Sequence, residues 1–233
     1  MTDTLADSSA APATLPDGPH DLEFFLDPLC PFAWQTSVWI RRVAELRDLN
    51  VGWRFLSLYV IHESAEENNY VSKETLHRGL EFHRVLNEVR NKYGNGPVGK
   101  LYEGWGRELW YAEPGTSSAE VAKDISIPDL LEAEGLPAEL VEEAGNEAHD
   151  AVIRAETALG FERAGDDVGT PIITYGPPDG LSFFGPVISS VPSDEVSVAM
   201  YDALKVLVAH PDFAEIKRTN RPPLDLPLLQ GRV

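Results

Sequence analysis

The chain has 233 residues, 43% hydrophobic and 24% charged, a composition typical of one large globular domain or of a domain with an insertion. Its 38 acidic residues outnumber 19 basic ones, and the net charge of -19 excludes nucleic acid and anionic membrane surfaces as expected partners. No run approaches the about 18 continuous apolar residues of a membrane-spanning helix. One cysteine cannot form an internal disulfide, so we expect a soluble protein of the reducing cytoplasm.

The N-terminal residues are rich in Ala, Ser, Thr, Pro and Asp. They lack both the basic start and the apolar centre of a secretory signal peptide. We therefore expect a disordered tail over residues 1–20.

A strand, a helix and a second strand are predicted next. The run Asp21–Leu26 (DLEFFL) predicts a buried strand that ends where Asp-Pro follows. Apolar residues at helical spacing predict a helix over Pro31–Arg47, with Cys30 at its N-terminus and proline in the first turn. Val51–Leu58 (VGWRFLSL) predicts the second strand. A unit of this length favours a parallel pair with a right-handed crossover.

Helical patterns then replace strand patterns for about 100 residues. The predicted helices are Lys73–Tyr93, Val98–Ala112, Ser118–Lys123, Ile127–Glu134 and Pro137–Glu162, the last with a break near Gly145. Strands return at Thr170–Tyr175 and Leu181–Phe184 as a predicted hairpin, and Ser193–Ala209 predicts a final helix. The expected α/β organisation is a discontinuous domain over residues 21–61 and 164–222, a helical insertion over 62–163, and a C-terminal tail over 223–233.

The chemistry of the chain is concentrated at Cys30. The free N–H groups and the dipole at a helix N-terminus favour an anion, so the position predicts a pKa for Cys30 below that of a free cysteine. A lone cysteine is more commonly a small buried hydrophobic residue, but its place between a strand and a helix favours the reactive interpretation. The dipeptide Thr170-Pro171 opens a later strand and is uninformative alone.

Several separated segments resemble one family. FLDPLCPFAWQTSVWI, LEAEGLPAEL, GDDVGTPIITYG, FFGPVISSVP and FAEIKRT resemble the actinobacterial mycothiol-dependent nitroreductases of the DsbA-like thioredoxin superfamily, over roughly residues 21–222. The resemblance implies a thioredoxin fold with a large inserted helical subdomain and a thiol-dependent oxidoreductase activity. It also implies a cis peptide bond between Thr170 and Pro171.

The resemblance assigns roles around Cys30. In the family the motif is usually Cys-Pro-Trp-Cys, in which the first cysteine attacks and the second resolves. Cys30 corresponds to the attacking cysteine, whereas Phe32 replaces the tryptophan and Ala33 replaces the resolving cysteine. The residues expected to contact the substrate are Pro31, Phe32, Ala33, Trp34, Thr170 and Pro171, with Trp34 placed near the thiol by helix geometry.

The missing second cysteine leaves three functions open. Cys30 can act as a monothiol through a mixed disulfide that an external thiol resolves. It can orient a thiol cofactor, as in the kappa-class glutathione transferases and isomerases that this fold resembles. The chain can also be a redox-inactive binding protein that uses the same groove.

Partners and cofactors are only partly determined by the sequence. We expect no metal, because the histidines lack metal-ligand spacing, and no tightly bound cofactor. The expected co-substrate is mycothiol or another low-molecular-weight thiol, with a thiol-reactive or disulfide substrate. The sequence leaves a monomer and a homodimer open.

Overall fold

A four-stranded mixed sheet forms the centre of the computed structural model, which describes residues 11–64 and 71–230. The strands are β1 (Leu22–Leu26), β2 (Val51–Phe55), β3 (Ile172–Tyr175) and β4 (Ser182–Phe184), in the order β2-β1-β3-β4. β1 is parallel to β2 and antiparallel to β3, and β3 is antiparallel to β4. The predicted parallel pair and hairpin are thus confirmed.

The helices of the described residues are α1 (Pro31–Arg47), α2 (Leu58–Ile61), α3 (Lys73–Tyr93), α4 (Gly96–Trp110), α5 (Ser118–Asp124), α6 (Ile127–Ala133), α7 (Asp150–Ala164) and α8 (Asp194–Val208). Short 3₁₀ segments span Ala138–Gly145, Glu147–His149 and Pro227–Leu229. Helix α1 connects β1 to β2, α8 follows β4, and α2 to α7 lie between β2 and β3 in the chain. This is a thioredoxin fold with a helical insertion.

Several predicted boundaries differ by one or two residues, including α4, which spans Gly96–Trp110, and β3, which begins at Ile172 rather than Thr170. Two elements need a larger correction. β2 ends at Phe55 rather than at Leu58, because the Ser57 side chain caps α2 and Leu58 begins that helix. The predicted helix over 137–162 divides into 3₁₀ segments and α7, with the division at Gly145–Asn146. The break near Gly145 is therefore confirmed, but the part before it is not an α-helix.

Strand β1 is buried on both faces, which explains why four of its five residues are apolar. Its one polar residue, Glu23, is also buried. Phe24 belongs to the main core, where its ring lies 5.5 Å from that of Trp53. Phe25 points to the other face and packs with Leu56 and Ile172. Because both faces are packed, the end of β1 brings Cys30 to a fixed position.

Two glycines allow helix α4 to lie close to the thioredoxin fold. A Cβ atom on Gly106 would overlap the ring of Trp34, and one on Gly99 would overlap the indole nitrogen of Trp53. The aromatic rings occupy the space that side chains would otherwise take. The glycines therefore set the contact of α4 with α1 and β2.

A buried ionic network joins the sheet to the insertion. Arg54 on β2 donates to Glu23 on β1 at 2.6 Å and to Glu156 on α7 at 3.1 Å. Arg90 on α3 also donates to Glu156, at 3.0 Å, and the Phe55 N–H donates to the same carboxylate at 2.9 Å. Each charged group of this network thus has an opposite partner, as burial requires.

Both expected tails differ from the prediction where they are described. Residues 1–10 and 231–233 lie outside the described residues. Leu15 is buried, Asp17 Oδ2 accepts the Asn95 N–H at 2.7 Å, and Arg54 donates to Pro12 O at 3.0 Å. Near the other end, Leu226 and Leu228 are fully buried in the main core. Residues 11–20 and 223–230 therefore pack against the protein, because isolated leucines and side-chain hydrogen bonds hold them there.

Within the described residues, no helix is both long enough and apolar enough to cross a membrane.

Candidate active site

Cys30 is the N-cap residue of α1, as the sequence predicts. Its backbone is extended, with φ -87° and ψ 111°, and the Ala33 N–H donates to Sγ at 3.4 Å. Pro31 occupies the first turn, where its missing N–H costs no hydrogen bond. The sulfur therefore lies at the helix N-terminus, where backbone N–H groups are available to an anion.

Thr170 lies beside Cys30, although 140 residues separate the two in the chain. The Cys30 thiol donates to the carbonyl oxygen of Thr170 at 3.8 Å, and both residues are buried. The Thr170–Pro171 peptide bond is cis in the structure. The fold therefore brings together Cys30 and the Thr170-Pro171 segment, both of which the sequence analysis selected.

The structure contradicts the prediction that the pKa of Cys30 lies below that of a free cysteine. Burial raises the pKa of the Cys30 thiol to about 12, since the residue is only 5% exposed. The N–H groups of Ala33 and Phe32 lower this pKa, and the negative charge of Asp27 raises it. The prediction from the helix N-terminus identified a real effect but omitted the larger cost of desolvating the thiolate.

Asp27 is a titratable residue of the site that the sequence analysis missed. Its carboxylate accepts the Leu29 N–H at 2.7 Å and the Leu58 N–H at 2.8 Å, and it is 2% exposed. Burial raises the pKa of Asp27 to about 7, whereas its backbone hydrogen bonds lower it. An acidic residue at the end of an apolar strand and three residues before Cys30 was the signal in the sequence.

The other motif residues differ in exposure. Pro31 and Phe32 are half-buried, and the Arg221 guanidinium lies 5.7 Å from the Phe32 ring. Ala33 is fully buried and Trp34 is 1% exposed. Pro31 and Phe32 are thus partly exposed, whereas Ala33 and Trp34 belong to the core.

Trp34 forms the wall between the core and a surface pocket. Its ring meets Tyr102 edge-on at 5.8 Å and Tyr111 at 6.4 Å. The pocket, of about 190 Å³, lies between α1 and α4 and is also lined by Arg41 and Glu103. Cys30 is not among the residues that line this pocket.

One cluster of the described residues has the composition of a metal site. Glu88, Glu143 and His149 bring their polar atoms within 4.8 Å of one another. Arg90 donates to Asn87 Oδ1 at 3.0 Å, which turns the amide nitrogen of Asn87 toward His149 Nδ1 at 2.9 Å. His149 Nδ1 then accepts, so Nε2 carries the proton and donates to Glu143 at 3.0 Å. The ring nitrogen Nε2 of His149, which a metal bound by this cluster would need, is therefore occupied by a hydrogen bond to Glu143.

Comparisons with known proteins identify one family, one protein of similar sequence and a solved structure of low similarity. The family described as "Rv2466c-like: Mycothiol-dependent nitroreductase Rv2466c" matches residues 29–218. "Uncharacterized protein Rv2286c" of Mycobacterium tuberculosis is 27% identical over 201 residues, which cover 86% of this chain and 83% of that protein. The crystal structure of Proteus mirabilis ScsC in a transitional conformation covers 85% of this chain and 74% of its own, with 13% identity and a TM-score of 0.44.

Proposed function

Because the chain belongs to the Rv2466c-like mycothiol-dependent nitroreductase family, we propose that it is a thiol-dependent oxidoreductase of DsbA-like type that acts through one thiol. In this proposal Cys30 forms a mixed disulfide with a low-molecular-weight thiol, mycothiol in the first instance. The observation that carries the proposal is the position of the chain's one cysteine at a helix N-terminus and against Thr170. The proposal places the reaction in the cytoplasm, where such thiols are kept reduced.

The proposed cycle consists of three exchange steps. The Cys30 S–H bond breaks, its proton passes to water, and the thiolate attacks a substrate disulfide. That S–S bond breaks, one substrate thiolate leaves and takes up a proton, and the other half stays bound to Cys30. A first mycothiol thiolate displaces it and becomes bound to Cys30, and a second one attacks the bound mycothiol. Two mycothiols are oxidised to their disulfide for each substrate disulfide reduced, and Cys30 is regenerated.

Ala33 makes the external thiol necessary. In a Cys-X-X-Cys helix start the fourth residue lies about one turn from the first, so its sulfur reaches back to close an internal disulfide. The Ala33 N–H lies 3.4 Å from Cys30 Sγ, but its side chain has no sulfur. A mixed disulfide at Cys30 therefore persists until a second thiol molecule arrives.

Burial sets the pH dependence of the proposed exchange. Because the pKa of Cys30 is raised to about 12, the residue is a neutral thiol at physiological pH. The thiolate is the attacking species, so exchange is slow at neutral pH and accelerates as the pH rises. The cycle thus runs without the acidified thiol of dithiol oxidoreductases.

Trapping the mixed disulfide tests the proposal. The reduced protein is incubated with mycothiol disulfide or glutathione disulfide from pH 7 to pH 10 and examined by intact mass spectrometry. The proposal predicts one adduct at Cys30 that forms faster at higher pH and returns to the free thiol when reduced thiol is added. The Cys30→Ser variant should gain no mass.

The burial of Cys30 favours one competing function, a redox-inactive binding protein that uses the same groove. A thiol that is 5% exposed and whose pKa is raised to about 12 resembles a structural cysteine more than a nucleophile. This alternative predicts no adduct from pH 7 to pH 10. A Cys30→Ser variant that retains ligand binding would support it.

A further inference from the structure

Arg221 lies over the ring of Phe32, on the first turn of α1, and contacts no carboxylate of the described residues. Its guanidinium carbon is 5.7 Å from the centroid of that ring. The other arginines of the described residues that lie over aromatic rings also pair with a carboxylate: Arg41 with Glu103, Arg78 with Glu81 and Arg90 with Glu156, at 3.9, 3.0 and 3.0 Å. At Arg221 the aromatic contact is present and the anion is missing.

An arginine without an ion pair is an exception in this acidic chain, which has 38 acidic residues and 19 basic ones. Every arginine of the described residues forms an ion pair except Arg218 and Arg221. Arg218 lies over no aromatic ring of these residues, so Arg221 differs from it by its contact with the first turn of α1. A guanidinium that lies on a ring through its face keeps its in-plane N–H groups available for a carboxylate.

The chain segment that carries this arginine is anchored at both ends. After α8, the ring of Phe213 stacks on that of Phe183 on β4, with the two centroids 5.7 Å apart. Further along the chain, Ser189 Oγ donates to Pro222 O at 2.9 Å, and the Asp225 N–H donates to Ser189 O at 2.7 Å. The arginine directly precedes Pro222, so these contacts fix the place of its backbone.

The loop that follows β4 also contacts helix α1. Thr36 Oγ1 donates to the carbonyl oxygen of Pro186 at 2.7 Å, three residues before the serine that anchors the C-terminal segment. Cys30 is the N-cap of α1 and Phe32 is two residues further along, so their Cα atoms are roughly 5–6 Å apart. The loop therefore holds Arg221 beside the end of α1 that carries the thiol.

We propose that Arg221 binds the anionic group of the substrate that reacts with Cys30, and that this substrate is a disulfide or thiol-reactive compound with a carboxylate. The carboxylate would lie beside the Phe32 ring and accept two N–H groups of the guanidinium, the paired geometry that arginine and carboxylate share. This inference rests on the proposed function, since it names the class of compound that Cys30 attacks. It assigns Arg221 to binding and leaves the exchange steps at the sulfur unchanged.

Two alkylating reagents that differ in charge measure this binding at the sulfur itself. With iodoacetate and with iodoacetamide the Cys30 thiolate displaces iodide and forms one S–C bond, but the first reagent carries a carboxylate and the second a neutral amide. The ratio of the two rates cancels the pKa of Cys30, because both reactions consume the same thiolate. The rates are measured by intact mass at pH 9 and low ionic strength, in the native protein and in concentrated urea. The chain has one cysteine, so each adduct reports on Cys30.

The native wild type should favour iodoacetate relative to the unfolded protein. Arg221→Gln should lower the native ratio of the iodoacetate rate to the iodoacetamide rate about threefold, the effect of one exposed ion pair. Arg218→Gln is the matched control, because it removes the same charge three residues away without an aromatic contact, and its ratio should stay close to that of wild type. Added salt should reduce the preference of wild type for iodoacetate, since salt screens exposed charges.

Three results would overturn the proposal. The first is an equal ratio in Arg221→Gln and wild type. The second is a ratio that Arg218→Gln lowers as much as Arg221→Gln does, because it would reveal a general effect of charge rather than a binding site. The third is a native thiol that reacts with neither reagent, because an anion bound at Arg221 would then have no access to the sulfur.

A second pair of reagents tells a failure of this inference from a failure of the proposed function. Dithiodipropionate is an anionic disulfide and hydroxyethyl disulfide a neutral one, and each is followed as a mixed disulfide on Cys30. An alkylation ratio that depends on Arg221, with no mixed disulfide from either compound, would reject the proposed function and retain the anion site. Mixed disulfides from both compounds at rates that Arg221→Gln leaves unchanged, together with an unchanged alkylation ratio, would reject the anion site and retain the function.

Discussion

At the scale of single residues, two opposing effects on one sulfur atom decide the reactivity of Cys30. The helix N-terminus stabilises the thiolate by about 0.3–1 kcal/mol at an exposed site and up to about 2 kcal/mol when partly buried. Removing a charge from water costs several kcal/mol. Because Cys30 is 5% exposed, the second effect dominates and the pKa of the thiol rises to about 12.

We predict that native Cys30 is alkylated far more slowly than an ordinary cysteine. At pH 8 iodoacetamide should react at least roughly a hundredfold more slowly with the folded protein than with the same protein in concentrated urea, where the pKa returns to about 8.5. Since the chain has one cysteine, intact mass reports on Cys30 alone. Similar rates in the two states would show that the native thiol is exposed or acidic.

Asp27 makes the stability of the protein depend on pH. Its pKa is raised to about 7 in the folded state by burial, whereas an unfolded aspartate ionises near 3.9. Below about pH 4 both states hold the proton. Between about pH 4 and 7 only the unfolded state releases it, so the free energy of unfolding falls as the pH rises, by about 1 kcal/mol per pH unit, and then levels off.

The variant Asp27→Asn isolates this effect, because asparagine does not titrate. The free energy of unfolding of wild type minus that of Asp27→Asn should fall between pH 4.5 and pH 7, measured by urea unfolding. The amide gives up one acceptor for the N–H groups of Leu29 and Leu58, which shifts the difference by a constant amount without changing its slope. A difference that rises with pH would show that the Asp27 pKa is lowered in the folded state.

At the scale of secondary-structure elements, strands and helices with clear patterns could be predicted from the sequence. Helix α1 and helix α3 have the predicted bounds, because their apolar periodicity and capping residues are local features. The end of β2 could not be predicted in the same way. Besides the local cap by Ser57, it depends on Asp27, whose carboxylate accepts the Leu58 N–H across 31 residues and favours the start of α2.

The close approach of α4 to α1 was also absent from the sequence analysis, and Gly106→Ala tests it. A methyl group at this position overlaps the ring of Trp34, so we expect a loss of about 1–3 kcal/mol in the free energy of unfolding. The matched control is Gly96→Ala on the same helix, where an added Cβ meets nothing within 4 Å. Urea unfolding should separate the two variants, and equal stabilities would contradict the packing of α4 against Trp34.

At the scale of the whole molecule, we propose that residues 21–61 and 164–222 form one thioredoxin-like unit and 62–163 the inserted unit, linked by the buried charges. Glu156 receives hydrogen bonds from Arg54 on the sheet and Arg90 on the insertion. The tails lay beyond sequence-based prediction, because their attachment depends on a few long-range contacts such as that of Asp17 with Asn95.

The variant Glu156→Gln should destabilise the protein by about 3–5 kcal/mol, since it leaves two buried guanidinium groups without their shared carboxylate. Glu63→Gln is the matched control. Its partner Arg154 forms an exposed pair with side chains 43% and 47% accessible, and such pairs contribute about 0–1 kcal/mol. Thermal unfolding by circular dichroism should show one transition for each variant, with a much lower midpoint for Glu156→Gln. Equal midpoints would mean that the network does not join the two units.

The lifetime of a preformed mixed disulfide tests the monothiol account most directly. Protein carrying mycothiol on Cys30 is freed of external thiol, and its decay is followed by intact mass at increasing concentrations of reduced mycothiol, in wild type and in Ala33→Cys. In wild type the decay rate should be proportional to the thiol concentration and vanish without it. Ala33→Cys should release mycothiol without added thiol and gain an internal disulfide. Release from wild type in the absence of thiol, or no release from Ala33→Cys, would contradict the account.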